Sequence, residues 1–226
     1  MDNETQLLDR DNRLMLEGEI PALLKLLYDR LQSGSFEEWH SQVLLKLLIS
    51  TDRNCRELLK SLSSDWVSQT AWIARNLLEL WIWTNFCAAS PQNTRRFYED
   101  ALRDVNGLSE SLSQIGAAVG AMEAQMARSA AKARIREVAS EKLGLADLDM
   151  KYCLVADAAK TVGLEELFFP QNRFLSKFAH PTAGLVIGLS HQEEACRGFQ
   201  ASCATAGVFF ARNTLAVFDE QILASR

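Results

Sequence analysis

An all-α fold is predicted: one single-domain helical bundle of about six to eight helices over residues 1–226. Three observations predict it. Leucines recur at three- and four-residue spacings through residues 4–32 (Leu7, Leu8, Leu14, Leu16, Leu23, Leu24, Leu26, Leu27), which is the period of a helix face. No run of residues alternates with the period of two that marks a strand. Finally, Ala71 to Phe86 (AWIARNLLELWIWTNF) carries apolar side chains on every side of the projected helix, the signature of a helix buried all round.

The first segment carries Pro21, which either starts a second helix or kinks the first, because proline lacks a donor and its ring crowds the preceding turn. Gly34 ends it. Ser35 to Glu38 (SFEE) has the spacing of a capping box, so the next helix is expected to run to about Leu62. Asp65 is positioned to cap the apolar helix of residues 66–89, in which Trp72, Trp81 and Trp83 supply bulk, and Pro91 lies just past its end. Pro91 to Leu143 reads as a long charged segment with a break at Asn106-Gly107 and a stretch of small residues, Gly116 to Ala133. Gly144 ends it, Asp147 or Asp149 caps a helix from Met150 to Val162, and Gly163 stops that helix. Gln171 to Ala179 follows Pro170 as a short helix with Phe174, Leu175 and Phe178 inward. His180 precedes Pro181 and so falls at or just beyond its end. Thr182 to Ser190 is either extended or a turn of helix. A last helix from about Gln192 to Leu223 has Ala195, Phe199, Cys203, Ala206, Phe209, Phe210 and Leu215 on its buried side.

A net charge of −5 argues against broad electrostatic binding of nucleic acid and leaves room for a local basic patch. The stripe Arg128, Lys132, Arg136 is diluted by Glu137 and Glu141 and reads as a solvated helix face. Leu77 to Ala89 is too short to cross a bilayer, and the polar start MDNETQLLDRDNR lacks the pattern of a signal peptide, so a cytoplasmic location with no membrane partner is expected. Five cysteines (55, 87, 153, 196, 203) without Cys-x-x-Cys spacing read as small buried hydrophobes in a reducing compartment. Glu37-x-x-His40 has a metal-ligand spacing, but neither His180 nor His191 has a glutamate three residues before it. The pair therefore reads as a solvent-facing first turn, and no metal or cofactor is expected.

Chemistry concentrates in two stretches. Within the apolar helix, Arg75 and Glu79 stand four residues apart on one face, with Asn76 beside them. An ion pair in so apolar a helix calls for a further partner, since a dry unpaired charge is costly. The stretch Asn172 to Pro181 (NRFLSKFAHP) is the candidate to supply it. Arg173 and His180 are seven helical steps apart, about 700°, and so project within about 20° of each other.

An arginine followed after a short spacer by histidine near a helix end, in a small all-helical protein, resembles the HEPN superfamily. Many of its members are metal-independent ribonucleases of bacterial toxin and phage-defence systems, and others are non-catalytic nucleotide-binding or structural modules. The fuller pattern, Arg75-Asn-Leu-Leu-Glu79 with Ser176-Lys-Phe-Ala-His180-Pro181, is similar over about residues 65–185 to a bacterial helical family without an assigned activity. The HEPN resemblance implies that Arg173 stabilises charge on a scissile phosphate and that His180 moves a proton at the ribose 2′-hydroxyl or the leaving oxygen. Arg75, Asn76, Glu79, Ser176 and Lys177 would bind or orient. RNA or a nucleotide is then the expected partner, and a homodimer would concentrate the basic groups. This chain departs from the HEPN pattern at Phe174, where a polar residue usually follows the arginine. The competing reading is a non-enzymatic interaction module in which Arg75, Glu79 and His180 form a buried cluster that fixes packing; a third is a small-molecule pocket lined by tryptophans.

Overall fold

The computed structural model describes residues 3–32, 39–64, 66–119, 153–182, 185–186 and 193–223, with scattered helical positions within 126–141. Among the described residues there is no strand, and the architecture is an all-α bundle within the expected range of helices. The helices are α1 (Asn3–Leu14), α2 (Ile20–Gln32), α3 (Trp39–Ser61), α4 (Val67–Ala89), α5 (Pro91–Val119), α6 (Val155–Thr161), α7 (Glu165–Ala179) and α8 (Glu193–Val217). No helix among the described residues is long and apolar enough to cross a membrane.

Helix α4 is the axis of the bundle. It packs against α3, α5, α6, α7 and α8, most extensively against α8. Ala71, Ala74, Leu77, Leu78, Ile82 and Phe86 are fully buried along it, as an all-round apolar sequence requires. The α8 contact is tight because Gly207 has no side chain: a Cβ there would lie 2.8 Å from Leu58 Cδ2 and 3.3 Å from Ala74 Cβ. Trp81 completes that seam, stacked on Phe210 with centroids 5.9 Å apart.

Buried polar groups fix the register of the bundle. Gln200 of α8 donates from Nε2 to the carbonyls of Ser61 (2.9 Å) and Ser64 (2.6 Å), covering orphan acceptors at the end of α3. Near the end of α4 the Cys87 carbonyl accepts from Thr94 Oγ1 (2.9 Å) and lies 3.0 Å from His40 Nε2, which donates in the tautomer protonated there. His40 is thus a half-buried strut between α3 and α4, not the solvent-facing residue expected from Glu37-x-x-His40. Glu37 and the capping box lie outside the described residues, as do Gly34, Asp65, Gly144, Asp147 and Asp149.

Several boundaries differ from the sequence expectations. Pro21 lies in the first turn of α2, the helix-starting place that is one of its two expected roles. A π turn, Met15–Glu19, joins α1 to α2, with the Ile20 N–H reaching back five residues to the Met15 carbonyl. The wider turn sits where the proline ring would otherwise crowd the carbonyl four residues earlier. Helix α5 runs through Asn106-Gly107, where Gly107 faces open space and costs only about 1 kcal/mol relative to alanine. Cys153 and Leu154 precede α6 rather than belonging to it; the Cys153 N–H donates to both oxygens of the buried Asp100 carboxylate at 3.0 Å. Gly163, at φ 71°, stops α6 as expected. Helix α7 begins at Glu165 and carries Pro170 inside it, so it is six residues longer at its start than the Gln171–Ala179 segment. At the C-terminal end, Phe209 is partly exposed instead of buried, and a second π turn, Phe218–Leu223, closes the described chain.

Candidate functional site

The two chemical stretches of the sequence meet where α4 touches α7, but through a residue not singled out from sequence. Arg75 Nη2 lies 3.0 Å from Glu79 Oε1, the i to i+4 pair that the spacing predicts. Its Nε donates to Asn172 Oδ1 at 2.9 Å. Asn172 therefore occupies the place expected for His180. The pair is not dry: the side chains of Arg75 and Glu79 are 29% and 31% exposed. Burial still dominates at Glu79 and raises its carboxyl above the ordinary glutamate range, with Arg75 pulling the other way. Next to them Asn76 reaches in the opposite direction, its Nδ2 3.4 Å from Asn54 Oδ1 on α3. Asn54 in turn donates to the Ser50 carbonyl at 2.8 Å. A row of polar groups thus crosses three helices on the outer side of α4.

Arg173, Lys177 and His180 are exposed, and Ser176 is half-buried. His180 is the C-cap of α7, with extended backbone (φ −119°, ψ 153°), so it leaves the helical register on which its alignment with Arg173 was predicted. The Pro181 ring accounts for this by disfavouring helical geometry at the preceding residue. Thr182 secures the exit: its Oγ1 donates to the Lys177 carbonyl (3.0 Å) and its N–H to the His180 carbonyl (2.8 Å). Arg173 and Lys177, four residues apart on α7, share an outward face with half-exposed Phe169 a turn before it, and His180 lies exposed at the helix end. Neither Arg173 nor Lys177 has an ion-pair partner among the described residues. Going round α7 from the α4 seam, Asn172 is followed by Ser176, Phe169 and Arg173 within about 100°, so the cluster and the basic face adjoin.

The stripe Arg128, Lys132, Arg136 lies outside the described residues. Among the described residues no three His, Cys, Asp or Glu side chains gather as a metal-ligand set. The cysteines are free. Burial pushes the Cys55, Cys87 and Cys203 thiols up to about 12, which removes them as nucleophiles. A separate concavity of about 470 Å³ opens between the first π turn with α2 and α3, floored by Ile20, Leu24 and Cys55 and rimmed by Tyr28, Asp52 and Arg56. It contains no tryptophan, unlike the small-molecule pocket envisaged from sequence. Comparison with protein-family models, with curated proteins and with solved structures returns no match, so only the side chains themselves bear on what the site does.

Proposed function

We propose that the chain is a HEPN-like helical protein that binds single-stranded RNA or nucleotide phosphates through the outward face of α7, and that it is a candidate metal-independent ribonuclease of a bacterial defence or stress system. The observation carrying this reading is the exposure of Arg173 and Lys177 on one face of α7, with His180 exposed at its end, in a chain whose overall charge is −5. A guanidinium suits two phosphate oxygens at once, and an ammonium acts as a point charge beside it. In the cleavage reaction His180 takes the proton of a ribose 2′-hydroxyl. The freed oxygen attacks the adjacent phosphorus while Arg173 balances the equatorial charge. His180 then returns that proton to the 5′-oxygen of the next nucleotide as its bond to phosphorus breaks, giving a 2′,3′-cyclic phosphate and a 5′-hydroxyl.

The test is a labelled single-stranded RNA pool incubated with the purified protein in chelator. Cleavage that disappears in His180→Ala and binding that weakens in Arg173→Ala are expected. For a face of this size the salt dependence is shallow, a log–log slope between about −1 and −2 at about −0.7 per phosphate held. RNA that stays intact rules out the nuclease, and RNA that is not bound rules out the ligand. The second reading, a dimerising interaction module, has in its favour Trp66 at the start of α4, an indole 73% exposed. Light scattering on the same preparation reports whether a homodimer forms.

A further inference from the structure

Arg75 ties α4 to α7 and Asn76 ties it to α3, about 100° further round the helix. Trp72 and Glu79 project within about 10° of the midline between those two directions. Among the described residues α3 and α7 make almost no contact with each other, so they flank the strip of α4 between them without meeting over it, and that strip floors the cleft between the two helices. Trp72 lies on that floor, 53% exposed. Further along the same helix Trp83 meets Phe97 at a centroid distance of 4.9 Å, and there α5 packs on α4. One wall is lined by Asn54 and the other by Asn172, which leads round α7 to Arg173.

We infer that this cleft is a nucleobase subsite: a base stacks on the indole of Trp72 and presents its polar edge to the Asn76 amide one turn further on. The spacing fits. Four residues rise about 6 Å, roughly the half-width of a stacked ring plus one hydrogen bond. Asn76 is available because its contact with Asn54, at 3.4 Å, is long and readily exchanged. An amide offers both donor and acceptor, as the edge of a base does, and the Arg75–Glu79 pair beyond it supplies a second polar contact without net charge. The sugar-phosphate then runs over the α7 rim toward Arg173. Stacking is the interaction that an indole half in water offers to any base.

This subsite rests on the RNA or nucleotide reading above, and calorimetry separates the two. Each of the four nucleoside 5′-monophosphates is titrated into the protein, with ribose 5-phosphate as the phosphate-only probe and the free nucleosides as the base-only probes. At least one nucleotide is expected to bind about tenfold or more tighter than ribose 5-phosphate. Trp72→Leu should reduce it to the ribose 5-phosphate level, whereas Trp66→Leu should not, with unchanged melting temperatures confirming that both variants fold. Equal affinity for all nucleotides and ribose 5-phosphate, or full affinity in Trp72→Leu, overturns the subsite even if RNA binding through Arg173 holds. Trp72-dependent binding of a free nucleoside, retained in Arg173→Ala and without any RNA binding, would instead uphold the subsite and remove the α7 reading.

Discussion

Trp72 and Trp81 stand nine residues apart on α4, half a turn out of phase, and face opposite worlds. Trp81 is 6% exposed, stacked on Phe210 and edge-on to Phe209 in the seam with α8. Trp72 is 53% exposed on the strip between α3 and α7. The same residue type on the same helix thus serves packing on one side and remains available on the other. The difference lies in what surrounds the helix: α8 closes one flank with a glycine at the point of nearest approach, whereas α3 and α7 diverge on the other and leave polar groups between them.

The largest expected effect breaks the comparison directly. Trp81→Ala should lower the unfolding free energy by about 3–5 kcal/mol, the usual loss for a buried aromatic, while Trp72→Ala should stay within about 0.5 kcal/mol of the parent. Urea denaturation measures both; comparable losses would mean that the two flanks do not differ as described. Next is Gly207→Val, which places atoms where Leu58 and Ala74 already stand and should cost about 1–3 kcal/mol in the same assay. A neutral result would show that α8 does not press on α4 at that point.

The smallest effect sharpens the open side. Because burial holds the Glu79 carboxyl above a glutamate's ordinary 4.5, the folded state keeps a proton that the unfolded state has released. Stability therefore falls as pH rises through the interval between those two values and stays lowered above it. Glu79→Gln should raise the unfolding free energy slightly at pH 7, by less than about 1 kcal/mol after allowance for solvent at a site about a third exposed, and should give no gain at pH 4. A loss at pH 7, or the same gain at both pH values, would show that attraction to Arg75 outweighs burial.

Much of α4 was legible. Its length, its burial and the Arg75–Glu79 pair follow from apolar content and four-residue spacing. Its orientation was not, for a physical reason: a helix apolar all round has no preferred face, so nothing local distinguishes Trp72 from Trp81. Asn172 was missed because its partner is 97 residues away, although it opens the very stretch, NRFLSKFAHP, singled out as the complement of the pair. His180 drew notice as the chemically versatile residue, and the structure holds it in solvent at the helix end instead of in the cluster. His40 was discounted with Glu37, yet its bond to the Cys87 carbonyl helps hold α3 on α4. At Gly107 and Pro170 residues that punctuate short segments lie inside longer helices, because tertiary packing outweighs a local preference of about 1–3 kcal/mol.

Beyond Trp72 the exposed strip of α4 runs toward α5, where Trp83 meets Phe97. On the nucleobase reading proposed above, the ligand such a site suits is a terminal or looped-out nucleotide with a free ring face, because a base already paired and stacked in a duplex has neither its face nor its edge to offer.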